Sequence, residues 1–179
     1  MILLINICKE KMHYLEFVKP IEDILFKNKI KFFTKGYKEV QQKDLDNCEK
    51  LIICGTSLKD NIFIEDAKTR FSWIKVFDKP ILGICGGMQI IGKVYGANVG
   101  QKTEIGFFKE IFDKEFLGMK GEEEVYHLHN SFVYLPMHFE NYGVSEIVQA
   151  MKHKEKEIYG VLFHPEVRQK VIIENFSLL

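Results

Sequence analysis

One stretch constrains this chain more than any other: Lys79-Pro80-Ile81-Leu82-Gly83-Ile84-Cys85-Gly86-Gly87-Met88-Gln89-Ile90-Ile91-Gly92. A short apolar run ends in a cysteine, two glycines follow, and apolar residues then recur at helical spacing. This reads as a strand turning sharply into a helix, with a thiol held at the corner. Larger side chains would clash in so tight a turn, so small residues flank it. The amide dipoles at the start of the helix favour the thiolate over the thiol. Cys85 is therefore a candidate nucleophile, and the chain must supply its partners.

The surrounding pattern sets the architecture. Met1–Ile7, Lys29–Thr34, Lys50–Gly55 and Pro80–Ile84 read as apolar strands. Helical spacing occupies Tyr14–Asn28, Ile62–Phe77 and Gly86–Tyr95 between and after them. Such alternation predicts an α/β domain whose mostly parallel, open sheet is covered by helices on both faces. After Gly96 the texture changes. Asn98–Gly100, Ile105–Phe112, Glu124–Leu128, Phe132–Leu135, Val144–Ala150 and Ile158–Phe163 predict short strands forming an antiparallel C-terminal addition. Val167–Phe176 predicts a closing helix. No linker or repeat divides the chain, so residues 1–179 are expected to form one domain.

Bulk properties exclude several classes of function. The formal net charge is zero, so nothing in the charge balance points to nucleic acid or an anionic membrane surface. The first apolar run is too short for a signal peptide and lacks a basic start, and no segment is long enough to span a bilayer. Cys8, Cys48, Cys54 and Cys85 are scattered, without zinc-ligand spacing or the density of a secreted scaffold. The expected location is the reducing cytoplasm.

A reactive thiol needs a base, and the base needs a group to orient it. Of six histidines, His164 has the most telling context: Ile158-Tyr159-Gly160-Val161-Leu162-Phe163-His164-Pro165-Glu166. An apolar strand delivers His164 and Pro165 stops it. Glu166 falls two residues on, the same side if the backbone stays extended. Cys85, Gly55 and His164 each end a strand, and in parallel sheets such ends gather in one crevice. Taken singly, a cysteine ending a buried strand is an ordinary small core residue, and Cys8 and Cys54 are read that way. The glycine-flanked corner and the His-Pro-Glu run together favour the catalytic reading for Cys85.

Gly83-Ile84-Cys85-Gly86-Gly87-Met88-Gln89 resembles the G-x-C-x-G-x-Q signature of class I, triad-type glutamine amidotransferases. Phe163-His164-Pro165-Glu166 resembles the F-H-P-E signature of the same family. Thr103-Glu104-Ile105-Gly106 looks most like the branch related to the GMP synthase amidotransferase subunit. The resemblance implies a flavodoxin-like α/β fold and hydrolysis of the glutamine side-chain amide by a Cys85, His164 and Glu166 triad through a thioester. It implies an oxyanion hole from the backbone amides of Gly55 and Gly86, and a glutamine pocket including Gln89, Asn130 and Ser131. No cofactor is implied. A separate ammonia-accepting synthase is the expected partner.

Two alternatives remain open: a γ-glutamyl hydrolase with the same triad, and a non-catalytic regulatory relative. The family's oxyanion turn usually carries Gly-Gly-Pro, whereas this chain has Cys54-Gly55-Thr56-Ser57. Without the stiffening proline, the turn is expected to form on binding a partner or to suit a different substrate. His127 and His129 share one face of a strand, but no third ligand stands at a fitting spacing, so no metal is assigned. Glu122-Glu123-Glu124 reads as a solvated turn and Lys152–Glu157 as an exposed hairpin tip.

Overall fold

The computed structural model describes residues 1–179. In chain order the elements are β1 (Ile2–Asn6), α1 (Lys11–Phe17), α2 (Lys19–Lys27), β2 (Phe32–Gly36), α3 (Gln42–Asn47), β3 (Lys50–Ile53), α4 (Ile62–Arg70), a 3₁₀ turn (Ser72–Lys75), β4 (Ile81–Ile84), α5 (Gly86–Val94), β5 (Val99–Phe116), β6 (Met119–Val133), β7 (Phe139–Asn141), β8 (Ala150–His153), β9 (Ile158–Val161) and α6 (Val171–Leu178). The main sheet has the order β2-β1-β3-β4-β9-β8-β7. Its first five strands are parallel, and β8 and β7 continue it antiparallel.

The central strands are apolar throughout because both faces of the sheet are covered. Leu3, Ile5, Leu51, Ile53 and Ile81 point into one core with α4 and α5, while Ile2, Leu4, Ile52, Leu82 and Ile84 point into the other with α2 and α6. Strand alternation thus builds two cores from one sheet. The carboxyl ends of β3, β4 and β9, three neighbours in the sheet, deliver Gly55, Cys85 and His164 to one edge.

The predicted class holds, and several boundaries move. Tyr14–Asn28 is two helices, α1 and α2, meeting at Val18. Pro20 falls in the first turn of α2, where a missing N–H breaks no helical bond. The helix predicted to reach Phe77 stops at Arg70 and passes into the 3₁₀ turn. The closing helix begins later than predicted, after Gln169 turns with φ of 74°.

The larger correction lies after Gly96. Four of the predicted short strands fuse in pairs into β5 and β6, a long antiparallel ribbon separate from the main sheet. Leu117 and Gly118 close it with φ of 48° and 92°, the positive values that match a two-residue hairpin turn to the twist of its strands. Glu122–Glu124 lies inside β6 opposite Lys109–Ile111, not in a turn. Only Ala150 of the predicted Val144–Ala150 strand is in one, at the start of β8. Within Lys152–Glu157, the first two residues belong to β8 and the rest turn into β9.

Candidate active site

Cys85 occupies the corner between β4 and α5. Its φ of 48° and ψ of −104° put a non-glycine residue in a region L-amino acids avoid, a conformation that typically costs about 1–3 kcal/mol and clusters at functional sites. The corner is held on both sides: the Cys85 N–H donates to the Val161 carbonyl at 2.7 Å, and the Cys85 carbonyl accepts from Gln89 N–H at 3.1 Å. Glycine at 87 is required by close approach, since a Cβ there would lie 2.2 Å from the Ile53 carbonyl oxygen.

His164 is fully buried and Glu166 nearly so. His164 Nδ1 lies 2.7 Å from Glu166 Oε1. The two meet through a turn rather than an extended segment, because Val167 and Arg168 N–H donate back to the His164 carbonyl at 3.1 and 3.3 Å. The imidazole packs between Phe17, 5.2 Å away by ring centroids, and Gly55. Its Nε2 has no hydrogen-bond partner, and the Cys85 thiol donates to the Leu128 carbonyl at 3.7 Å. Burial alone would push the imidazole toward neutrality, but the negative charge of Glu166, followed by that of Cys85, outweighs it. His164 therefore holds its proton well above the usual histidine range.

Gly55 faces this pair across the cleft. A Cβ there would stand 2.7 Å from His164 Cε1 and 3.5 Å from Cys85 Cβ, so only glycine admits the ring. The Gly55 N–H donates to no backbone carbonyl, and Gly86 is the first residue of α5, where an N–H has no partner within its own helix. The turn after Gly55 has no proline but is braced differently. Buried Thr56 donates its hydroxyl to Asp60 Oδ2 at 2.7 Å, and the same oxygen takes Lys9 N–H at 3.1 Å and lies 2.9 Å from His13 Nδ1. Burial opposes the Asp60 charge, but these donors prevail and hold the carboxyl below its ordinary range. This hub ties the turn to α1 and to the segment after β1 where proline would otherwise stiffen it.

Gln89, Asn130 and Ser131 line the same narrow cleft as Cys85 and Gly86. Gln89 Nε2 donates to the Ser131 carbonyl at 2.8 Å, which leaves its amide oxygen as the group free to accept. Asn130 Nδ2 donates to the Leu58 carbonyl at 3.1 Å and ties β6 to the loop after β3. The cleft encloses only about 20 Å³. That is the room of one or two waters, so the cleft is narrow where it passes Cys85.

The glutamine amidotransferase class-I family model matches residues 14–176. The chain belongs to the class I glutamine amidotransferases. Among curated proteins it is 38% identical over 125 residues to a glutamine-hydrolysing GMP synthase subunit of Methanobrevibacter smithii, covering 63% of this chain and 66% of the relative. It is 47% identical over 109 residues to the protein of the same name from Methanococcus aeolicus, covering 54% and 58%. The matched segments thus span about three fifths of these relatives. In fold it is similar to a candidate GMP synthase subunit from Thermoplasma acidophilum, with a TM-score of 0.83 over 98% of this chain and 91% of that one at 24% identity. A Thermotoga maritima glutamine amidotransferase gives 0.73 over 98% and 81% at 21% identity.

The wall of the cleft holds one group that sequence spacing misses. Glu104 pairs directly with His129 across β5 and β6, and a shift in strand register lies just before it. Glu104 Oε2 is 3.0 Å from His129 Nε2 and 3.9 Å from His127 Nδ1. All three residues are buried. Burial, then repulsion from His127, drops the pKa of His129 to about 4, so its ring is neutral at pH 7. The signal is cross-strand pairing, which no spacing within one strand reveals.

Proposed function

We propose that this chain is a glutaminase subunit that hydrolyses the side-chain amide of glutamine and delivers ammonia to a separate synthase. The observation that carries the reading is the buried His164–Glu166 pair, 2.7 Å apart, set against Gly55 and the strained corner of Cys85. Glu166 engages Nδ1, which directs Nε2 to the thiol. Cys85 Sγ attacks the amide carbon of glutamine while His164 Nε2 holds the thiol proton. The Gly55 and Gly86 amides receive the oxyanion that develops. Collapse breaks the C–N bond, His164 protonates the departing amine, and ammonia leaves. Water, deprotonated by His164, then cleaves the γ-glutamyl thioester and releases glutamate.

Gln89, Asn130 and Ser131 are assigned to the glutamine pocket. Residues 1–179 act as a single domain in the cytoplasm and need no cofactor for this chemistry. Relatives named as subunits of a glutamine-hydrolysing GMP synthase support an ATP-dependent, GMP-forming synthase as the first partner to test. The outer face of the ribbon also leaves Ile105, Phe107 and Ile111 exposed, an apolar stripe suited to a protein partner. The narrow cleft, tied by Asn130 to Leu58, favours activity that rises when a partner opens it. Ammonia release from glutamine, measured with and without such a synthase, tests the proposal. Release that depends on Cys85 and rises with the synthase is the expected result; none under either condition would overturn it.

A further inference from the structure

We propose that Glu104, His127 and His129 form a binding site for a divalent transition ion of the zinc class, beside the cleft and independent of the glutaminase reading. Each of the three offers one ligand atom, and these atoms lie within 4.8 Å of one another. Atoms bonded to one tetrahedral zinc at about 2.0–2.2 Å stand roughly 3.3–3.6 Å apart. The observed separations from Glu104 Oε2, 3.0 and 3.9 Å, bracket that spacing.

The hydrogen bonding around the cluster points the same way. His127 Nε2 lies 3.1 Å from Glu110 Oε1, which places the proton on Nε2 and turns the Nδ1 lone pair toward Glu104. Glu110 is itself fixed by the Ser145 hydroxyl. This carboxylate–histidine arrangement is the support that metal-bound histidines carry. His127 is fully enclosed, yet its Nδ1 has no hydrogen-bond partner, and His129 Nε2, though close to the carboxylate, is off the line of a hydrogen bond. Buried polar atoms are rarely left so. Glu104 is oriented as well: Lys102 Nζ sits 3.0 Å from Oε1, and Gln149 Nε2 donates to one lone pair of Oε2 at 2.9 Å, which leaves the other for monodentate ligation. Three protein ligands leave a fourth position for water. Because His129 also lines the cleft, the ion would brace β5 against β6 where the cleft is walled.

The test uses the full chain carrying Cys85→Ser, titrated with Co²⁺ as an optical probe and then with Zn²⁺ as competitor. Visible bands saturating at one equivalent, without thiolate charge-transfer absorption, and lost on adding Zn²⁺ are expected. Glu104→Gln and His127→Gln should each weaken binding at least 10-fold, with circular dichroism checking the fold. No saturable binding, a thiolate-type spectrum, or unchanged affinity in folded Glu104→Gln protein would overturn the proposal. The first measurement needs no ligand variant, so misfolding of a variant cannot shelter it.

Discussion

His164 and Glu166 are joined by a 2.7 Å contact from Nδ1 to Oε1 with both side chains out of water. A carboxylate so placed fixes the ring, selects the tautomer and stabilises the imidazolium, all before substrate arrives. Phe17 and Gly55 pack against the same ring.

The two residues are predicted to differ when replaced. His164→Ala removes the proton carrier and is expected to reduce kcat for ammonia release by about 10⁴, the upper end for general acid–base catalysis. Glu166→Gln keeps a polar group against the ring and is expected to cost less, about 10²–10³. Steady-state glutaminase kinetics decide this; equal losses would mean that the carboxylate charge itself is indispensable.

Thiol reactivity should run against exposure. Cys8 is the most accessible of the four cysteines, but burial pushes its thiol up to about 11, and burial also raises Cys48 and Cys54. Cys85 alone faces an imidazolium. One equivalent of an iodoacetamide-type reagent at pH 7 is expected to modify Cys85 first, as read by peptide mass mapping, and the preference should vanish in His164→Ala. Labelling of Cys8 first would contradict the site's electrostatics.

Gly55→Ala tests the crevice itself. The new Cβ would meet His164 Cε1 at 2.7 Å, so the ring or the turn must shift. The expected cost is about 1–3 kcal/mol of stability, as for overpacking, with roughly 10²-fold or greater loss of kcat from misplaced groups. Denaturant unfolding and kinetics measure the two separately.

The raised pKa of His164 fixes a sign for pH. The folded protein holds this proton more tightly than the unfolded chain, so the stabilisation is fully present below about pH 6.5, the unfolded value. It is lost as pH rises through the higher folded value. Glu166→Gln removes the largest charge that raises it. Thermal unfolding between about pH 6 and 9 should therefore show a shallower decline for Glu166→Gln than for the parent chain; parallel curves would contradict the assignment.

Much of the fold, and the gathering of Cys85, His164 and Glu166 at one edge of the sheet, is legible in the sequence, and the features that are not share a physical cause. Cys85 and the strands around it are legible because a doubly covered sheet needs unbroken apolar runs and a tight corner needs glycine. The β5–β6 ribbon reads as fragments because polar and glycine residues interrupt its pattern, while its pairing depends on partners many residues away. Glu104 escapes for the same reason: its proximity to His129 is a property of register, and a register shift lies between Gln101 and Glu104. Bracing of the turn after Gly55 by Thr56 and Asp60 is likewise hidden, since a hub joining Lys9, His13, Thr56 and Asp60 exists only once β1 and β3 lie side by side.

Mass spectrometry of the protein quenched during turnover of glutamine, with an ATP-dependent GMP-forming synthase present, tests the central claim most directly. A γ-glutamyl adduct on the peptide carrying Cys85, absent from Cys85→Ser, with ammonia released only by the parent chain, is the predicted result. Ammonia release that persists in Cys85→Ser would contradict it.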